Sequence, residues 1–81
     1  MVLTTGPQLR AARAMAGFDR QQLAEASGIT TFTIRRLEVM EGRLKATTKT
    51  VDALQRALEA AGVEFLDGEK PGVRMRAPSA A

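Results

Sequence analysis

The sequence predicts an all-α fold of four short helices, closed by a short C-terminal pair of β-strands. Three observations predict it. Apolar residues recur at helical spacing from Leu9 to Ala61. Gly17, Gly28 and Gly62 interrupt that pattern where helices would end. Beyond Gly62 the pattern turns to near alternation, in VEFL (63–66) and VRMR (73–76), with turn-rich DGEKPG (67–72) between.

Each element has its own local signals. Thr4 and Thr5 precede Gly6-Pro7, and proline is tolerated in a first turn. Leu9, Ala12 and Ala16 then share one face of the first helix, with Arg10 and Arg13 beside it. Gly17 ends the helix, and Phe18 turns an apolar ring back toward it. Asp19 caps the second helix, and Gln22 three residues on completes a capping box. Leu23 and Ala24 supply its apolar side, and Gly28 closes it in a left-handed conformation. Ile29 leads to Thr30, the cap of a third helix running to about Met40. Residues 41–47 read as a loop. Thr48 caps a fourth helix, in which Val51, Leu54, Leu58 and Ala61 keep helical spacing, and Gly62 is its C-cap. The organisation expected is a helical domain over 1–62, a β element over 63–76, and a frayed tail over 77–81.

Composition removes several classes of function. Eighty-one residues make one small domain. The chain has no cysteine and no histidine, which excludes disulfides, thiolate or imidazole metal sites, and a histidine-based triad. Glu38, Glu41, Asp52 and Glu59 form no recognisable cleft motif, and no glycine-rich phosphate loop is present. An enzyme, a cofactor and a metal are therefore not expected. No signal-peptide core and no apolar run of transmembrane length occur, so a cytoplasmic protein with no membrane role is expected. A net charge of +3 points mildly toward a polyanionic partner.

The third helix sharpens that hint. At 100° per residue, Thr30, Ile34 and Leu37 cluster on one side. Phe32, Arg36 and Val39 fall nearly opposite, with Arg35 beside them and Thr31 and Thr33 at the edges. One face is core; the other offers a ring and two guanidinium groups. The join to the second helix has a geometric logic of its own. A steep crossing needs a small residue at the contact, Ala24, and the turn needs tolerance of positive φ, Gly28. Ile34 and Leu37 lock the second member against the first. This is the pattern of a helix-turn-helix, which offers its second helix to the major groove of DNA.

LAEASGITTFTIRRLE (23–38) resembles the DNA-binding domain of phage-repressor/Cro-type regulators. LRAARAMAGF, DRQQLAEASG and TVDALQRALEAAG extend the resemblance over about residues 9–62. The resemblance implies a four-helix helix-turn-helix regulator that binds double-stranded DNA. It implies that Thr31, Phe32 and Arg36 meet base edges, with Arg35 reaching a base or a phosphate. It also implies phosphate contacts at the start of the second helix, where Arg20 and Gln21 lie, and an intramolecular ion pair between Arg13 and Glu38. Phe32 departs from the family, where a polar residue is common; a ring suits a thymine methyl, and Arg36 suits guanine O6 and N7. The alternative for Phe32 is a subunit contact. Thr30 and Thr33 at the border of this surface are further DNA-binding candidates, and Arg43, Lys45 and Lys49 follow it as phosphate-contacting candidates.

A palindromic site read by a homodimer is the expected arrangement. Val63, Phe65, Val73 and Met75 are the candidates for dimerisation by strand pairing between subunits; the other option is an intrachain hairpin with dimerisation through the fourth helix. A protein-interaction module is the competing reading, with a toxin or RNA polymerase as partner and the strands as the docking element.

Overall fold

The structure, a computed structural model, describes residues 3–66 and 72–75. Four helices and a two-stranded antiparallel sheet follow one another: α1 (Gly6–Ala16), α2 (Arg20–Ser27), α3 (Thr31–Glu38), α4 (Thr48–Ala60), β1 (Val63–Leu66) and β2 (Gly72–Met75). The four helices, the two-stranded antiparallel sheet and their order are those expected from the sequence. The connection at 67–71, Arg76 and the tail over 77–81 lie outside the described residues.

Caps set the helix boundaries. Thr5 caps α1 by accepting from the Gln8 N–H, while Gln8 Oε1 accepts in return from the Thr5 N–H. Asp19 and Gln22 make the same reciprocal pair at α2. Thr30 caps α3 through the Thr33 N–H. Gly17 and Gly28 end α1 and α2 in the left-handed region, Gly28 at φ 77°.

Three helix boundaries differ from expectation by one or two residues, and β2 starts at Gly72, one residue before the expected strand. The cap of α4 is Thr47, whose hydroxyl reaches the Thr50 N–H three residues on, and Thr48 is already helical. Helix α3 stops at Glu38 because the Met40 N–H closes a tight turn onto the Leu37 carbonyl instead of continuing the ladder. Ala61 is the C-cap of α4, and Gly62, at φ 99°, makes the turn into β1.

The core lies between the helices and one face of the hairpin. Leu9, Leu23, Ile34, Leu37, Leu54, Leu58 and Phe65 are fully buried there. Burying such a side chain contributes roughly 1.5–3 kcal/mol each. Helix α4 packs on α2 and α1, and α3 packs on α2 and α1. The hairpin closes the far side, with β2 along α1 and β1 against α4. Its register pairs Val63 with Met75, Glu64 with Arg74, Phe65 with Val73 and Leu66 with Gly72. Opposed residues share a face, so Val63 and Phe65 point into the core and Glu64 pairs with Arg74 on the outside at 2.9 Å.

Of the two arrangements left open by the sequence, the intrachain hairpin is the one present in this chain. Val63 and Phe65 belong to the chain's own core and offer no surface to a second subunit, because β1 pairs with β2 of the same chain. Val73 is half-buried against that core, and Met75 is the one of the four that is largely exposed.

The start of α1 is pressed against the end of α3. A Cβ on Gly6 would stand 2.0 Å from the Met40 carbonyl oxygen and 2.7 Å from that of Leu37. The Gly6 N–H donates to the Gly42 carbonyl, and the Leu44 N–H donates to the Thr4 carbonyl. These bonds hold residues 41–47 against the N-terminal segment. Gly6→Ala should therefore lower stability by about 1–3 kcal/mol, since backbone must move to admit the methyl. For a domain of this size that is a fall in Tm of roughly 4–8 °C per kcal/mol. Gly42→Ala, which meets open space, should stay within about 0.5 kcal/mol. Equal melting of the two variants by circular dichroism would remove the close-approach account.

Candidate nucleic-acid interface

Helix α3 owes its placement to its own two-faced sequence. Ile34 and Leu37 are fully buried, and Glu38 is 1% exposed. On the opposite side Phe32 is 74% exposed and Val39 is 68% exposed. Thr31, Arg35 and Arg36 are exposed as well, and Thr33 is half-buried at the edge. The expected separation of a core face from a ring-and-guanidinium face is thus realised. The hydroxyls of Thr30 and Thr33 are engaged with each other at 3.1 Å, and that of Thr30 also caps the helix. These two threonines shape the N-terminus of α3.

A charged network holds α3 in position. The Glu38 carboxylate accepts from Arg13 Nε at 2.6 Å and from Arg13 Nη2 at 3.2 Å. It accepts a third bond from Arg20 Nε at 3.2 Å. Arg10 Nη1 donates to the Glu38 backbone carbonyl, capping the end of α3. Arg13 Nη1 donates to the Phe18 carbonyl and so fixes the link between α1 and α2. Among the described residues no buried side-chain polar atom lacks a partner. The Arg13–Glu38 pair implied by the family resemblance is present, with Arg20 as a third member. Arg20 thus holds part of the scaffold as well as standing at the expected phosphate position, its side chain 39% exposed. Gln21 beside it is exposed.

The cations divide into two sets. Arg13, Arg20, Arg56 and Arg74 each have a carboxylate partner, and Arg10 has the Glu38 carbonyl. Arg35, Arg36, Arg43, Lys45 and Lys49 are exposed and pair with no carboxylate among the described residues. The uncommitted set runs consecutively from the outer side of α3, through the loop held by residues 4–6, to the first turn of α4. Within that span Glu41 is an exposed acid, and Glu38 is buried and already neutralised.

Sequence reading missed Arg10 and Arg20 as partners of Glu38, because contacts between helices 18 and 28 residues apart leave no local signature. It also missed Gln8, although Thr5 and Gln8 carry the same capping-box spacing as Asp19 and Gln22 and so offered a signal for its cap. Among the described residues no group of three acidic, histidine or cysteine side chains is placed to hold a metal, and no helix is long and apolar enough to cross a membrane. No protein-family model and no curated protein matches this chain.

Glu38 is enclosed, so its loss strands buried positive charge. Glu38→Leu should cost about 3–5 kcal/mol. The double variant Arg13→Met, Glu38→Leu should cost less than Glu38→Leu alone, because only Arg20, the more exposed of the two guanidiniums, is then left without its carboxylate. Exchanging the charges, Arg13→Glu with Glu38→Arg, should fail to restore stability, since Arg20 would then face an arginine. Urea titration of the variants checks this order; full rescue by the exchange would exclude Arg20 from the network.

Proposed function

We propose that the protein is a sequence-specific regulator that binds double-stranded DNA through a helix-turn-helix formed by α2, residues 28–30 and α3. The observation that carries this reading is the uncommitted cation set that begins on the outer face of α3 beside Phe32 and continues into α4. A run of cations with no internal partner, flanking a rigidly held helix, suits phosphates on either side of a groove. Helix α3 enters the major groove. Arg36 reads guanine O6 and N7, Arg35 reaches a base or phosphate, and Thr31 lies at the helix end nearest the bases. Arg43, Lys45 and Lys49 bind the backbone, helped by the N-terminus of α4.

One helix spans few base pairs. A homodimer about a twofold axis reads two half-sites ~34 Å apart. Val63 and Phe65 lie inside their own chain, which favours the outer side of α4 as the contact. Regulation follows from occupancy of an operator or promoter, which blocks or recruits polymerase. A protein-docking module has less support: β1 and β2 pair with each other, and the Gly72 carbonyl already accepts from Gln8 Nε2 at 3.0 Å.

Selection from a random duplex library should enrich one palindromic motif. Arg36→Ala should lose discrimination at a guanine, by about 1–3 kcal/mol, and retain the rest of the motif. Enrichment of no motif would end the reading. Salt titration separates the backbone contacts: Arg43→Ala and Lys45→Ala should each weaken all duplexes alike and flatten the log–log salt slope by roughly 0.9. An unchanged slope in either variant would remove that residue from the interface.

A further inference from the structure

Phe32 is the most exposed large apolar side chain of the described residues, and it stands among cations on a helix whose other face is locked in the core. Its ring has no donor or acceptor, so no hydrogen-bonding edge of a base satisfies it. The apolar feature of the major groove is the C5 position of a pyrimidine, and only when it bears a methyl group does it project toward a side chain. Arg36 lies four residues on, on the same face, with its Cβ about 5–6 Å from that of Phe32. Helical side chains lean toward the N-terminus, so the Arg36 side chain is directed along the same face toward the turn that carries the ring. Ring and guanidinium then meet the same or neighbouring base pairs, which are stacked about 3.4 Å apart.

We propose that Phe32 and Arg36 together read a C5-methylated pyrimidine next to a guanine. This inference rests on the DNA reading above and deepens it. Thymine and 5-methylcytosine carry the same methyl at the same place in the groove, and the ring does not distinguish them. Binding is therefore sensitive to cytosine methylation at that step: a site carrying C·G there is weak until it is methylated, and one carrying T·A is strong throughout.

The test uses the full chain and the duplex enriched by selection, with Kd read by fluorescence anisotropy. Uracil replaces each thymine in turn, deleting the methyl and keeping the pairing. At one position per half-site this should weaken binding roughly three- to fivefold, the worth of one buried methyl-sized group. A 5-methylcytosine·G pair at that position should bind within about twofold of T·A, and an unmethylated C·G pair should bind as weakly as uracil·A, by the same apolar-burial reasoning. In Phe32→Ala, which folds because the ring is exposed, all four pairs should bind alike. Indifference of the wild-type protein to uracil at every position would overturn the proposal while leaving DNA binding intact. So would persistence of the methyl effect in Phe32→Ala, or conversion of a dimer to a monomer by that variant in sedimentation with the methyl effect unchanged. Failure of any duplex to be enriched would overturn the DNA reading along with it.

Discussion

The Glu38 carboxylate is the constraint on which the arrangement of the helices depends. It is 1% exposed and gathers Arg13 from α1 and Arg20 from α2 onto the last residue of α3. A buried carboxylate costs several kcal/mol of lost hydration, which is offset only when its lone pairs are filled. Three guanidinium N–H groups fill them here. The geometry that satisfies the carboxylate therefore admits little variation in how α3 lies against α1 and α2. Such a network contributes more to a unique arrangement than to net stability, since apolar residues of similar volume would hold the core as well.

The outer face of α3 follows from this anchoring. Ile34, Leu37 and Glu38 are held from within, so Phe32, Arg35 and Arg36 project from a rigid base. A surface presented this way has already lost much of the conformational freedom that binding would otherwise remove. The contrast between engaged and uncommitted cations sharpens the point. Arg56 and Arg74 are as exposed as any surface arginine, yet each has a carboxylate at about 3 Å. The cations from Arg35 to Lys49 have none among the described residues.

What could be read from the chain alone divides along physical lines. Short-range chemistry was legible: Asp19 with Gln22, Thr30, and the left-handed Gly28 act within three or four residues of themselves. The two-sided character of α3 was legible because a helix converts spacing into direction. Long-range geometry was not. The close approach of the Leu37 and Met40 carbonyls, which leaves Gly6 no room for a Cβ, depends on how two helices meet. The same holds for Arg20, whose partner lies 18 residues away. The strands were placed well, but alternation states only that one face is covered. It does not say whether the cover is the chain's own helices, as it is for Val63 and Phe65, or another subunit.

Gln8 has a further consequence. Its side-chain oxygen accepts from the backbone N–H groups of Thr4 and Thr5, and its nitrogen donates to the carbonyl of Gly72, 64 residues away. One amide thus ties the opening segment to the final strand. Closing so long a loop is entropically costly and becomes favourable late, after the local helices have formed. Val63 and Phe65 complete the core only then. During synthesis the surface bearing Phe32 and Arg36 therefore leaves the ribosome before the hairpin that packs on α1 and α4 and closes the far side of the core.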